Sequence, residues 1–368
     1  MRPLKKTEIE RLLGWYSKNA REFPWRSNPE PYWVWLAEIM SQQTQMATLV
    51  PYFHRFLGKF KDVRALARAE EHEVLAAWAG LGYYSRARNV HRAARMVAGA
   101  LGGKFPTTLD GLLELPGVGP YTAAAIASQC FGVREPVWDG NVVRVTSRFF
   151  AREDALSPAF KTQALEALRA SMAAGGSGCD PSHFNQALME LGATVCSPKS
   201  PSCGRCPLEA SCAARAADTV EKYPPPKARK AVVELRCRVH VRVRRSEKNG
   251  FEAFLAPRDA ERWFAGLWDF PSELGGATKP KLELGALPRS LEPIGEVRHQ
   301  VTHHKIYLEG LLERTEPRAA RATGTVGEGR WLSLDALVAD EPPVPLSTTA
   351  RKMLKLLLRE KTDQLAMF

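Results

Sequence analysis

The segment Leu115-Pro116-Gly117-Val118-Gly119-Pro120-Tyr121-Thr122-Ala123 ends one helical pattern and begins another. Leu112, Leu113 and Leu115 form an apolar helix end, Pro-Gly-x-Gly makes a turn, and an alanine-rich run follows. Glycines let a backbone come close to a partner, and a helix start offers free N–H groups to an anion. The segment reads either as a site where a helix start meets an anion, or as a plain helix hairpin.

Around this turn, apolar residues recur at three- and four-residue spacing, as in Ile9-Leu12-Leu13-Tyr16 and Val74-Leu75-Trp78. That spacing predicts helices. Short breaks such as Phe23-Pro24, Leu57-Gly58 and Phe105-Pro106 separate them, so residues 1–217 are expected to form an all-helical domain. Tyr223-Pro224-Pro225-Pro226-Lys227-Ala228-Arg229-Lys230 then reads as a stiff, basic linker within 218–231. Immediately after it the period becomes two. Val233, Leu235, Cys237, Val239, Val241 and Val243 alternate with Glu234, Arg236, Arg238, His240, Arg242 and Arg244, which predicts a half-buried strand. Lys248-Asn249-Gly250 predicts a turn, Phe251 to Leu255 and Lys305 to Glu309 further strands, and Leu346 to Lys361 a helix. Residues 232–362 are therefore expected to be a smaller α+β domain, followed by a tail at 363–368.

Composition narrows the function classes. The chain has 368 residues, 45% hydrophobic and 25% charged, an ordinary globular balance for about two domains. No run approaches the roughly 18 apolar residues of a membrane span. The start, Met1-Arg2-Pro3-Leu4-Lys5-Lys6, has no apolar stretch behind it, so a secretory signal is not expected. A cytoplasmic, monomeric protein associated with the nucleoid is expected. The net charge is +12, with 26 basic against 19 acidic residues up to 217 and 26 against 21 beyond. An excess shared by both halves fits a polyanion partner, nucleic acid first.

Four of the seven cysteines fall within seventeen residues, spaced Cys196-x6-Cys203-x2-Cys206-x5-Cys212. In a reducing compartment such a cluster reads as a metal site. One Cys-x2-Cys pair with uneven loops suits zinc or an iron–sulfur cube. Glu38 is the one charged residue between Tyr32 and His54, counting histidine neutral. Among Trp, Leu, Ile and Met it is either a desolvated carboxyl, with the raised pKa of a general acid, or a Glu on the wet stripe of a helix. Ser41-Gln42-Gln43-Thr44-Gln45 offers uncharged contacts suited to base edges and backbone. Asp139, in Trp138-Asp139-Gly140-Asn141, opens an apolar-periodic segment, so its plain role is a helix N-cap.

These motifs together resemble the MutY family of DNA glycosylases, within the endonuclease III superfamily. The cysteine spacing is that of the superfamily's iron–sulfur loop, which implies a [4Fe–4S] cluster on Cys196, Cys203, Cys206 and Cys212. Leu115 to Ala123 resembles the helix–hairpin–helix motif, implying phosphate contacts at Gly117 and Gly119 and an alkali cation, Na+ or K+, on the carbonyls of the turn. Asp139 follows that turn by about twenty residues, where the superfamily keeps its essential aspartate, and Asp139-Gly140-Asn141 is the MutY form. Trp35-x-x-Glu38-Ile39-Met40-x-Gln42-Gln43-Thr44-Gln45 and Pro24-Trp25-Arg26 are also similar to MutY. The resemblance implies an adenine glycosylase acting on adenine opposite 8-oxoguanine or guanine in duplex DNA. Glu38 would protonate the flipped adenine, and Asp139 would stabilise the sugar cation, through its charge or covalently. Tyr121 and Asn141 would position Asp139 and the nucleophile. Trp25, Arg26 and Gln186 would line the adenine pocket. Thr44 would contact DNA, while Tyr83 wedges into the base stack and Gln43 fills the space from the other side. Endonuclease III needs a lysine where this chain has Tyr121, so strand-cleaving lyase activity is expected to be weak or absent.

Arg262 to Pro271 resembles the MutT-like (Nudix-fold) domain of the same family. No Arg-Glu-x-x-Glu-Glu cluster follows in 272–291, so the domain is expected to bind rather than hydrolyse. Its lesion-reading loop would be Arg298 to His303, with Val301, Thr302 and His303 as contacts; the family has Phe-Ser-His at these three positions. Gln364-Leu365-Ala366-Met367-Phe368 resembles the peptide that docks on the replication sliding clamp; the plainer reading tucks it onto the second domain. Two other functions stand as alternatives, an endonuclease III-like glycosylase/lyase and a non-catalytic, metal-stabilised DNA-binding protein.

Overall fold

A computed structural model describes residues 1–226, 231–248, 250–258, 266–274, 291–315, 329–339 and 342–359. Before Val233 the described chain holds helices and turns and no strand. The helices are α1 (Lys6–Asn19), α2 (Pro24–Ser27), α3 (Pro31–Ser41), α4 (Met46–Lys59), α5 (Val63–Arg68), α6 (Glu71–Ala77) and α7 (Ser85–Ala98). There follow α8 (Leu109–Leu113), α9 (Pro120–Phe131), α10 (Gly140–Phe149), α11 (Pro158–Ala174), α12 (Pro181–Thr194) and α13 (Ala213–Ala216). Two compact units divide the chain: Met1–Arg68 with Asn89–Ala228, and Ala69–Arg88 with Arg229–Phe368.

Local chemistry starts most of the helices that build the first unit. Ser157 and Asp180 each accept the amide of the residue three positions on, and each is followed by proline at the first helical position, where the missing N–H costs nothing. Gly119 caps α9 with Pro120 behind it, and Gly132 ends α9 in the left-handed conformation. At Gly117 φ is +80°, and a Cβ there would stand 2.7 Å from Cβ of Asn89. The turn therefore demands glycine twice, for its backbone and for its packing. The apolar faces of α1, α9, α10 and α12 meet in one core that includes Ile9, Leu12, Ala124, Val145, Phe184 and Leu191.

Among the described residues, the second unit carries a seven-stranded mixed sheet. Its strands are β1 (Val233–Ser246), β2 (Gly250–Pro257), β3 (Trp268–Asp269), β4 (Ser272–Leu274), β5 (Glu292–Val301), β6 (His304–Arg314) and β7 (Arg330–Ser333). The order is β3-β2-β1-β6-β5, with β4 also on β1 and β7 on β2. The central pair β1 and β6 is parallel, from Val233 opposite His304 to Val243 opposite Arg314. Two further helices are α14 (Leu334–Val338) and α15 (Thr348–Arg359). Leu235, Cys237, Val239, Val241 and Val243 of β1 are buried with Ala350, Met353, Leu354 and Leu357 of α15, so the expected alternation and helix both stand. The outward arginines of β1 are balanced by acids: Arg242 meets Glu313 at 2.9 Å and Arg244 meets Glu252 at 2.7 Å. That face is not a bare cationic surface.

The expected recognition loop at Arg298 to His303 is a hairpin. Arg298 to Val301 complete β5, and Thr302-His303 is a two-residue turn, with Val301 opposite His304 and Thr302 at φ +53°. Cross-strand pairing with β6 decides this; an irregularity between Pro293 and Gly295 shifts the register of β5 and breaks its period in the sequence. Residues 259–265, most of 272–291, and the tail 364–368 lie outside the described residues.

Candidate active site

A cavity of about 520 Å³ opens in the first unit, within the range of ligand pockets. Glu38, Tyr121, Asp139, Asn141, Trp25, Arg26, Gln186 and Thr44 all line it. Residues up to 161 positions apart in the chain thus converge on one space.

Glu38 sits on α3, which is buried almost throughout from Tyr32 to Met40; Glu38 is 7% exposed. Burial pushes its carboxyl above the usual range. Contacts from Tyr121 and Gln129 of α9 favour the charged form in part, Asp139 opposes it, and Arg26 favours it weakly. Nε2 of Gln129 stands 3.5 Å from Oε1 of Glu38. Tyr121 has its phenol raised well above the ordinary value by burial, Glu38 and Asp139, so it remains a neutral donor. Its hydroxyl lies 3.5 Å from Sδ of Met189.

Asp139 is the N-cap of α10 and a cavity residue at once. Oδ1 accepts the Val142 amide at 2.8 Å, and Oδ2 accepts Nδ2 of Asn141 at 2.7 Å. The cap therefore fixes the carboxylate in place, with the positive end of a helix behind it. Asn141 is held in turn by Arg144, whose guanidinium donates to Oδ1 of Asn141 at 2.8 Å, the Gly192 carbonyl at 2.6 Å and the Cys196 carbonyl at 2.7 Å. At Gly192 of α12 an added Cβ would come 2.5 Å from Cβ of Asn141, so α12 and the start of α10 touch only because this residue is glycine.

The α12 wall holds residues that the sequence reading missed. Glu190 is 1% exposed and takes Arg26 at 2.8 Å and Arg21 on its other side. Burial alone would raise its carboxyl, but the two guanidiniums hold it below the ordinary range. Arg26 also lies over the Phe23 ring, 4.9 Å from its centroid. Trp25 stacks on Phe23 with ring centroids 5.0 Å apart. Gln186 accepts the Tyr16 hydroxyl at 2.8 Å and donates to Ser182 at 2.8 Å, so its amide is oriented before any ligand arrives. A charge on a helix carries no sequence signal for burial when its partners are 164 to 169 residues away.

The remaining expected residues take other positions. Gln43 is exposed at φ +58°, beside the cavity residues Gln42 and Thr44 but not lining it. Tyr83 belongs to the other unit, 42% exposed at φ +48°. Gly117 and Gly119 form the turn before α9. Val301 packs against the sheet core, which leaves Thr302 as the exposed residue of the hairpin turn.

Cys196, Cys203, Cys206 and Cys212 line one small cavity together with Arg148. Arg148 is 2% exposed and donates to Sγ of Cys196 at 3.3 Å and to the carbonyls of Ser197 and Tyr223. Burial pushes the Cys206 thiol up to about 12, and Cys203 and Cys212 upward. Among the described residues no group of three His, Cys, Asp or Glu could hold a metal ion as placed. The donor set, four sulfurs around one cavity beside a buried arginine, suits a thiolate-bound metal.

The sequence family described as HhH-GPD superfamily base excision DNA repair protein matches residues 36–169, which span Glu38, the glycine turn and Asp139. An adenine DNA glycosylase of Homo sapiens is 45% identical over 213 residues, 55% of this chain and 38% of that protein. One of Arabidopsis thaliana is 33% identical over 361 residues, 82% of this chain and 56% of that protein. The chain thus spans well under two thirds of the length of these relatives. A solved thermostable thymine-DNA glycosylase superposes with a TM-score of 0.52 at 27% identity, covering 58% of this chain and 97% of that one. Residues 36–169 of this chain thus form a domain of the HhH-GPD superfamily of base excision DNA repair proteins.

Proposed function

We propose that the protein is a monofunctional DNA glycosylase that hydrolyses the N-glycosidic bond of adenine opposite 8-oxoguanine or guanine. The observation that carries this reading is one cavity with a raised carboxyl, a capped carboxylate and no lysine among its lining residues. A base must leave the duplex to be reached. Glu38, whose carboxyl burial raises above the usual range, donates its proton to the purine ring and makes it a neutral leaving group. The sugar left behind is cationic, and Asp139, held by the Val142 amide and Asn141, stabilises it. Arg26, Trp25 and Gln186 hold the base. Tyr121 stands where a Schiff-base enzyme of the endonuclease III type would need an amine, so no imine forms there. A [4Fe–4S] cluster bound by Cys196, Cys203, Cys206 and Cys212 would brace the loop behind α10 and α12. The second unit reads the opposite base with the Thr302-His303 turn, and Gln364 to Phe368 engages a sliding clamp.

Adenine release from duplexes with an opposite-base panel tests the reading. Release is expected opposite 8-oxoguanine and guanine, with strand scission only after alkali. Borohydride trapping of the unmodified protein, or no adenine release from any duplex, would sink it.

A further inference from the structure

We infer that Gln129 is a positioning residue for Glu38, fixing which carboxyl oxygen carries the transferable proton. The inference rests on the reading of Glu38 as the general acid. Gln129 lies eight residues after Tyr121 on α9, a little over two turns, so both side chains leave the same helix face. Both line the cavity, and they approach the same carboxyl from that face. Nε2 of Gln129 is directed at Oε1 at 3.5 Å, the outer edge of a hydrogen bond. In a protonated carboxyl the carbonyl oxygen is the stronger acceptor, so the oxygen that receives the N–H takes the carbonyl role. The proton is therefore assigned to Oε2. A free carboxyl would divide its proton between two oxygens and several rotamers, and only one arrangement delivers it to a base.

The groups that face Glu38 come from three elements. Tyr121, Gln129 and Cys130 come from α9, Asp139 from the cap of α10, and Arg26 from α2. Of these, Gln129 and Tyr121 are the uncharged donors that favour the ionised form against burial. Removing the Gln129 amide then has two consequences with distinct readouts. Glu38 keeps its proton to higher pH, so the alkaline fall in rate moves upward. Orientation is lost, so the plateau rate drops.

Single-turnover adenine release by the full chain, measured across pH, separates these effects. Gln129→Met is expected to lower the plateau by about threefold to tenfold, as for one hydrogen bond to a carboxyl. Its alkaline limb should move up by roughly half a unit to one unit. Gln129→Glu keeps the length and adds a like charge, so its limb should move further in the same direction. Glu38→Gln is the control for the underlying reading, and near-normal release by that variant overturns the acid role itself. If Glu38→Gln is inert while Gln129→Met keeps the parental plateau and limb, the inference about Gln129 alone is wrong. A plateau that falls with an unmoved limb means a packing role and also overturns it. Should Gln129→Met fail to fold, an unmoved limb in Gln129→Glu overturns the positioning role in its place.

Discussion

Two buried carboxyls face the same cavity from different walls and titrate in opposite directions. Glu38 on α3 meets the uncharged groups Tyr121 and Gln129, and burial dominates, so it is held above the carboxylate range. Glu190 on α12 is at least as buried, yet two guanidiniums hold it below that range. Burial sets the size of the stakes, and the charge of the nearest partner sets the sign. One wall therefore holds a carboxyl biased toward its protonated form, while the other holds a charge that anchors Arg21 and Arg26. The same contrast separates the two cation-rich regions: the β1 arginines face glutamates, whereas Arg148 faces the cysteine cavity.

The contrast can be broken first at the reacting wall. Glu38→Gln and Asp139→Asn should each lower single-turnover excision by about 10² to 10⁴-fold, with duplex binding retained in a titration. Asparagine keeps the cap and loses the charge. Either variant working at a near-normal rate refutes the role assigned to it.

At the anchoring wall the expected loss is in stability. Glu190→Gln leaves Arg26 short of its counter-charge, and about 2–3 kcal/mol should be lost in urea unfolding at neutral pH. The pH dependence sharpens the comparison. A depressed carboxyl such as Glu190 supplies stability above its unfolded value, near 4.3, that is lost as pH falls through the lower folded value. A raised one such as Glu38 costs stability as pH rises from the unfolded toward the folded value. Above neutrality, Glu38→Gln should therefore be as stable as the parent or more so, and Glu190→Gln less. Equal behaviour of the two variants would show that the walls do not differ.

Smaller effects follow where the walls join. Gly192→Ala places a methyl group against Asn141, and α10 must shift, at a cost of about 1–3 kcal/mol in some mixture of stability and rate. The rate should fall roughly tenfold with affinity for a product duplex little changed; unchanged kinetics would mean that α12 yields instead. The smallest expected change is Thr302→Ala with His303→Ala in the hairpin of the other unit. Excision opposite 8-oxoguanine should fall only several-fold toward the guanine value, about 1 kcal/mol of discrimination, and an unaltered opposite-base ratio would remove the turn from that role.

Much of this protein was legible in its amino acids. The change of period near residue 233, the turn at Gly117 and Gly119, the strands β1, β2 and β6 and the cap at Asp139 all depend on neighbours within a few positions. Local backbone preference and the facing of side chains determine such features, and they survive in a linear reading. β5 was not legible, because its pairing with β6 was needed to show which face is inside.

The cavity divides along the same line. Glu38 stood out in the sequence because one carboxyl lay in a run of apolar residues, and Asp139 because it began a helix. Glu190, Arg21, Gln129 and Gly192 gave no such signal: their meaning lies in partners on other helices, Arg26 for Glu190, Glu38 for Gln129 and Asn141 for Gly192. Sequence alone determined which residues could carry a proton or a charge. Tertiary structure alone decided which of them would be buried together, and in a medium of low dielectric that choice of neighbour sets whether a carboxyl is an acid or an anchor.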